Sequence, residues 1–276
     1  MANITAAEVN KLRKMTGAGM MDCKKALVET EGDFEKAIDL LRKKGQKVAS
    51  KRADKEANEG IVLAQTTADN KYGVVFMLNC ETDFVAKNDE FVNFANGIME
   101  KALSEKPASV EDLKALKLND RTVEENITEM VGKTGEKMDL SGFEVIEAEK
   151  VFAYNHMGNK LATVLGLNKA NGVDEAGHQL AMQVAAMAPV AVDRGDVPQE
   201  VIDKELEIGR EQAREEGKPE AMLDKIAEGK LNKFFKENTL LNQDFVRDSK
   251  KTVAQFLKEV DGDLKVTGFK RLMLGA

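Results

Sequence analysis

The sequence predicts an α+β protein, and three observations carry that reading. Three short amphipathic helices open the chain, a strand–turn–strand–helix layout occurs twice in the middle, and a long polar helical pair precedes a closing helix and strand. With 276 residues, 42% apolar and 32% charged, the chain suits one large domain or two to three small ones and can bury a core.

At the start, Thr5 with Glu8 three residues later makes a capping box for a first helix whose apolar face is Val9 and Leu12. Thr16-Gly17-Ala18-Gly19 reads as a tight turn. Asp22 is expected to cap a second helix carrying Ala26 and Leu27 and closed by Gly32. Asp33 caps a third, with Phe34, Ala37, Ile38 and Leu41 on one stripe and Gly45 at its end. A segment of about 45 residues is marginal for independent stability, which predicts a small compact bundle. The charged stretch Lys47 to Gly60 reads as an extended helix or a linker.

The first repeat-like segment runs strand (Gly60 to Thr67), turn (Asp69-Asn70-Lys71), strand (Tyr72 to Asn79), helix (Asp89 to Leu103). The second runs strand (Glu149 to Asn155), turn (Met157-Gly158-Asn159), strand (Lys160 to Leu167), helix (Asp174 to Met187). Each second strand is apolar on both faces, so each sheet should be covered, and the layout suggests an internal duplication of a ββα unit. A helical stretch, Ser109 to Val131, lies between them. Pro198 then starts a polar helix to Glu216, Gly217-Lys218-Pro219 turns, and a second helix runs from Glu220 to about Lys236. Its narrow stripe of Val201, Ile202, Leu206, Met222, Ile226, Leu231 and Phe234 buries little by itself, so the pair reads as a projecting arm or a dimerisation element. A short helix, Thr252 to Glu259, and a strand, Leu264 to Leu272, end the chain.

A net charge of −7 argues against general nucleic-acid binding, which needs a cationic surface, although it leaves room for a local basic patch. Cys23 and Cys80 are far apart in apolar contexts and read as reduced thiols of a cytosolic protein. No membrane span is expected, because the longest apolar run, Leu180 to Val192, contains Gln183 and Pro189 and is too short. Met1-Ala2-Asn3-Ile4-Thr5 lacks the charged and apolar regions of a secretion signal.

Few residues suggest covalent chemistry. Gly132-Lys133-Thr134 resembles the end of a phosphate-binding loop, but Ile127 stands where the pattern needs glycine, so a turn is the better reading and no nucleotide is expected to bind this chain. His156 and His178 lack metal-ligand spacing and read as structural or surface histidines. No nucleophile motif occurs, and the carboxylates lie in solvated helical runs, which disfavours an enzyme.

The stretch Asn79-Cys80-Glu81-Thr82-Asp83-Phe84-Val85-Ala86-Lys87-Asn88 is the most informative. It places Phe84 where a strand gives way to polar residues and a helix, a corner at which Phe either fills local core or points outward as an anchor. Periodicity alone favours core for Phe84 and an N-cap role, worth about 1 kcal/mol, for Asp83. Around the first turn, Arg13, Met20, Met21, Lys24 and Lys25 read either as core methionines with solvated lysines or as an adaptable contact surface; the residues alone favour the former.

Leu12-Arg13-Lys14-Met15-Thr16-Gly17-Ala18-Gly19-Met20-Met21-Asp22-Cys23-Lys24-Lys25-Ala26-Leu27 resembles the N-terminal signature of bacterial elongation factor Ts, and Asn79 to Lys87, centred on Thr-Asp-Phe-Val, resembles that family's second signature. The likeness continues at Tyr154-Asn155-His156, Gly217-Lys218-Pro219, Glu228-Gly229-Lys230-Leu231 and Ser249-Lys250-Lys251-Thr252-Val253, and so covers nearly the whole chain. The family is a guanine-nucleotide exchange factor for the translational GTPase elongation factor Tu.

The resemblance implies a UBA-like three-helix domain and linker at residues 1–55 and a core N-subdomain at 56–147. It implies a core C-subdomain beginning at 148–196, a helical-hairpin, dimerisation-like arm at 197–245, and a return to the core C-subdomain at 246–276. The two core subdomains would carry small antiparallel sheets. Asp83 and Phe84, flanked by Thr82 and Val85, would be a wedge that enters between helices of the GTPase near its magnesium and phosphate site. Arg13, Met20 and Met21 would contact the same GTPase domain. Thr134, Gly135 and His156 fall near positions where the family's second subdomain touches a neighbouring helix. The partner would be elongation factor Tu, GDP-bound and nucleotide-free, in the cytoplasm, with a homodimer through the hairpin as a further expectation. No cofactor, metal or catalytic side chain of this chain's own is implied.

Two departures stand out: Met157-Gly158 follows His156 where the family commonly has Gly-Ala or Gly-Ser, and the sequence stops at Ala276 where some members continue into a further helical module, which implies a smaller interface. The alternatives are an interaction module without exchange activity and an enzyme using His156 with nearby carboxylates.

Overall fold

The computed structural model describes residues 4–275. The chain divides into two compact units, one built on Phe76–Glu144 with the chain up to Leu63 and from Leu272, the other on Ala64–Val75 and Val145–Arg271.

Helix α1 (Ala6–Thr16) begins with the expected Thr5/Glu8 capping box and ends at Gly17, whose left-handed backbone (φ 65°) returns its N–H to Arg13. Helix α2 (Met20–Glu29) starts at Gly19, not at Asp22. The Gly19 carbonyl already accepts the Asp22 and Cys23 N–H groups, so the helix begins a turn early, and Asp22 instead pairs with Lys44. Helix α3 (Phe34–Lys51) is capped by Asp33 as expected but passes through Gly45 for two more turns. Val9, Leu12, Cys23, Ala26, Leu27 and Ala37 form the bundle core, with Phe34, Ile38 and Leu41 against it.

Strands β1 (Glu59–Thr66) and β2 (Tyr72–Cys80) follow, then a one-turn helix α4 (Asp83–Ala86) and helix α5 (Asp89–Glu105). The stretch expected to be one helical run is instead α6 (Val110–Ala115), a minimal hairpin of β3 (Lys117–Leu118) and β4 (Arg121–Thr122), and α7 (Val123–Thr134). Thr122 starts α7 with a second capping box, and Gly132-Lys133-Thr134 is its last turn, not a loop. Strand β5 (Met138–Glu147), not foreseen because Ser141 and Gly142 interrupt its apolar pattern, completes a three-stranded sheet of order β1-β2-β5.

Strands β6 (Lys150–Asn155) and β7 (Leu161–Leu167) pair antiparallel, with Phe152 opposite Leu165, and helix α8 (Asp174–Met187) follows. The arm is α9 (Gln199–Glu215) and α10 (Leu223–Asn238). Its seam is made by Gly209, Ala213, Leu223 and Ala227, while most of the expected stripe is only half-buried and Met222 is exposed. The reason is close approach: a β-carbon on Gly209 would stand 3.0 Å from the Ala227 Cα, so only small residues fit the crossing. Strands β8 (Asp244–Phe245) and β9 (Asp248–Thr252), helix α11 (Val253–Val260) and strand β10 (Val266–Met273) close the chain. The second sheet has order β10-β7-β6. In both three-stranded sheets the second hairpin strand, β2 or β7, is therefore central, and both are buried almost throughout. Leu165, Leu167, Leu180 and Val184 share a core with Phe245, Val253 and Leu257, where Phe245 stacks on Phe256 at 4.2 Å.

Candidate functional site

Strand β2 delivers its end, Asn79 and Cys80, as buried residues, and the chain then turns outward. Thr82 is the N-cap of α4, its hydroxyl accepting the Val85 N–H, so the expected capping role of Asp83 belongs to its neighbour. The extended backbone of Thr82 (φ −124°, ψ 153°) is the geometry an N-cap needs, and Asp83 is already helical. Asp83 instead pairs with Lys87 four residues on, at 2.6 Å. One turn of helix cannot bury much of itself, and the result is that Phe84 is 83% exposed while Thr82, Asp83 and Val85 are half-buried. The core reading of Phe84 is thereby excluded.

A helix of four residues has almost no intrinsic stability, so its orientation must be set from outside. Glu136 supplies this. Its two carboxylate oxygens accept the Thr82 N–H at 3.0 Å and the Thr82 hydroxyl at 2.7 Å. The Cys80 thiol donates to the Thr82 carbonyl at 3.2 Å, and burial, with Glu136 nearby, pushes that thiol up to about 12. Next to them, Glu81 accepts from Arg52 Nε at 2.6 Å and from the Lys137 N–H. The Arg52 guanidinium pulls the Glu81 carboxyl down to about 2.

The second group lies at the α1–α2 turn. Arg13 is exposed in the last turn of α1, and Met20 and Met21, at the start of α2, are 51% and 62% exposed. The bundle core is complete without them, so the reading of these methionines as core is corrected: Cys23, one turn on, takes the inward position. Thr134 and Gly135 end α7, where Gly135 is left-handed (φ 74°) and its N–H returns to Val131; they stand beside Glu136. His156 belongs to the other unit. It follows β6, its Nδ1 lies 3.0 Å from the Tyr154 hydroxyl, and it lines a groove of about 380 Å³ with Leu161, Met182 and Val246.

The structure thus gathers Thr82, Asp83, Phe84 and Val85 on one projecting turn and sets Arg13, Met20 and Met21 on the surface of the same compact unit. Arg52, Glu136 and Lys137, which hold the turn, were missed because they lie 29 to 56 positions away from their partners in sequence. Among the described residues no group of three or more His, Cys, Asp or Glu side chains could hold a metal ion, and no helix is long and apolar enough to cross a membrane.

A family model described as Elongation factor TS matches residues 81–276. The protein named Elongation factor Ts from Christiangramia forsetii is 55% identical over 276 residues, covering 100% of both chains. Those from Amoebophilus asiaticus, 55% identical over 275 residues and 99% of each chain, and Cytophaga hutchinsonii, 53% identical over 277 residues, carry the same name. On a match of this length and identity, with the signature turn projecting from a braced base, the chain belongs to the elongation factor Ts family.

Proposed function

We propose that this chain is a guanine-nucleotide exchange factor that accelerates GDP release from elongation factor Tu by inserting Phe84 between helices near the magnesium and phosphate site, after which GTP rebinds. The supporting observation is Phe84 itself: a large apolar side chain, 83% exposed, on a turn held by Glu136 and Cys80. Exposing a phenyl ring to water has no benefit to the isolated fold, and holding it outward fits an anchor that waits for a partner.

The action needs no reactive side chain. A factor that binds the nucleotide-free GTPase better than the GDP-bound form weakens GDP by the same ratio by which GDP weakens the factor. Burying the Phe84 ring is worth about 1.5–3 kcal/mol, gained only when the GTPase helices part. Every ~1.4 kcal/mol of that difference is about tenfold in an equilibrium constant. Arg13, Met20 and Met21 provide a second contact with the same GTPase domain, the methionines adapting to its shape. His156, on the other unit, provides a third. The chain works in the cytoplasm, on the GDP-bound and nucleotide-free GTPase.

The test is stopped-flow release of fluorescent GDP from elongation factor Tu with increasing amounts of this chain. Concentration-dependent acceleration that is largely lost in Phe84→Ala is the expected result. Tight binding to the GTPase without faster GDP release would overturn the exchange reading and leave an interaction module.

A further inference from the structure

Three struts tie the N-terminal helices to the base of the Phe84 turn, all inside one compact unit. Helix α3 crosses α7 at Gly45 and Gly132, where a β-carbon on Gly132 would stand 2.7 Å from the Gly45 Cα. The α1–α2 turn rests on Lys133: a β-carbon on Gly17 would meet its Cε at 2.6 Å. Lys133 is itself pinned by Glu90 of α5 at 2.8 Å and Glu129 of α7 at 3.3 Å.

The third strut is the most direct. Arg52 ends α3, and its Nε and one terminal nitrogen each hold one oxygen of Glu81, the residue before the N-cap of α4. Lys137 closes the loop, with its N–H on Glu81 and its Nζ on the carbonyls of Ala53 and Lys55 at 2.7 and 2.9 Å, just past the end of α3. The helix run that carries Met20 and Met21 therefore ends in a two-pronged ion pair at the root of the turn that carries Phe84. The Glu81 side chain is 15% exposed and that of Arg52 34%, so the carboxylate is sheltered while the guanidinium still meets solvent, and the two-pronged geometry is what sets this pair apart from an ordinary surface ion pair.

We propose that Arg52 and Glu81 are positioning residues for nucleotide exchange, their ion pair holding the N-terminal helices and the Phe84 turn at a fixed spacing so that the GTPase is gripped at two points by one rigid body. The proposal rests on the exchange reading above. A rigid spacing matters because two contacts can be satisfied either by moving the GTPase helices or by bending the factor. If the link at Arg52 and Glu81 is stiff, binding energy at the N-terminal contact goes into parting the GTPase helices. If it is loose, the factor bends, docks equally well, and no longer pries. The expected signature is a loss in maximal rate with little change in the concentration needed for half of it.

The experiment measures fluorescent GDP release from elongation factor Tu against factor concentration for wild type, Phe84→Ala, Arg52→Ala and Arg52→Lys. For Arg52→Ala the maximal rate is expected to fall about fivefold while the half-saturating concentration stays within about twofold. Arg52→Lys keeps the charge but not the two-pronged contact, and recovers part of the rate. If Arg52→Ala fails to fold by circular dichroism, Glu81→Gln is expected to give the same split. A wild-type maximal rate in Arg52→Ala, with Phe84→Ala slow, overturns the positioning role and leaves the exchange reading intact. So does an unchanged maximal rate with a raised half-saturating concentration, which marks only a smaller folded fraction. No acceleration by wild type overturns the exchange reading itself.

Discussion

Gly132 on α7 and Gly45 on α3 face each other across a helix crossing, yet the two are not equivalent. A β-carbon on Gly132 would stand 2.7 Å from the Gly45 Cα, whereas one on Gly45 would lie 3.5 Å from the Gly132 Cα, an ordinary contact. The backbone on the far side cannot step aside as a side chain can, so Gly132→Ala is overpacked and is expected to cost about 1–3 kcal/mol. Gly45→Ala replaces an interior helical glycine without a clash and is expected to gain about 0.5–1 kcal/mol. Urea unfolding of the two single variants checks this. Equal gains would show that the crossing is looser than these distances, and equal losses that it is as tight at Gly45 as at Gly132.

Glu136 and Phe84 should separate stability from exchange. Removing Glu136 leaves the Thr82 N–H and hydroxyl without their acceptor, and hydrogen bonds to a charged group are worth about 1.5–3 kcal/mol. Glu136→Ala is thus expected to lower the urea midpoint at constant slope. Phe84→Ala removes a side chain in contact mainly with water and should leave the unfolding free energy within about 0.5 kcal/mol of wild type while abolishing most exchange. A midpoint drop for Phe84→Ala as large as that for Glu136→Ala would mean that the ring packs on its own protein.

The two thiols should be silent. Cys23 and Cys80 are both fully buried, and Cys80 has its thiol pushed up to about 12 by burial and donates to Thr82. Since the thiolate is the reactive form, the native protein is expected to give no rapid colour with a disulfide reagent such as DTNB at pH 8, and two equivalents after denaturation. Fast reaction of one thiol in the native state would reveal that the end of β2 opens readily.

The elements legible in the sequence are those with a local signal. The Thr5 and Asp33 caps, the β6–β7 hairpin and the arm turn at Gly217 were each marked by residues within a few positions of one another. What failed was set by tertiary contact. Gly45 read as a stop because a glycine in a polar run usually is one, but α3 continues because that glycine lets α7 approach. Strand β5 carries Ser141 in the middle, where the hydroxyl finds the Asn79 side chain on β2; no alternation rule anticipates such a pair. In the candidate site the projecting residues Thr82 to Val85 were legible as a motif, whereas which way Phe84 points was not. The base of that turn is held by Glu136 on Thr82 and by Arg52 on Glu81, contacts that are invisible until the chain folds.

The Arg52–Glu81 pair finally predicts a pH dependence whose sign can be worked out. In the folded protein the Glu81 carboxyl is drawn from an ordinary 4.5 down to about 2, chiefly by the Arg52 side chain and further by the Lys137 N–H, against an opposing effect of desolvation. A carboxyl that is more acidic when folded adds stability that is fully present above its unfolded value and is lost as the pH falls through its folded one. Arg52 is raised by Glu81 and stays charged throughout, so it adds no slope in this range. The stability difference between wild type and Arg52→Ala is therefore expected to be flat from pH 7 to about 5, and to shrink steadily between about 4.5 and 2. Chemical unfolding of both proteins along that series measures it. A difference that is still whole at pH 2, or one that already fades between pH 7 and 6, would assign the effect of Arg52 to packing of its methylenes or to another titrating group, and would remove the ion pair from the frame that carries Phe84.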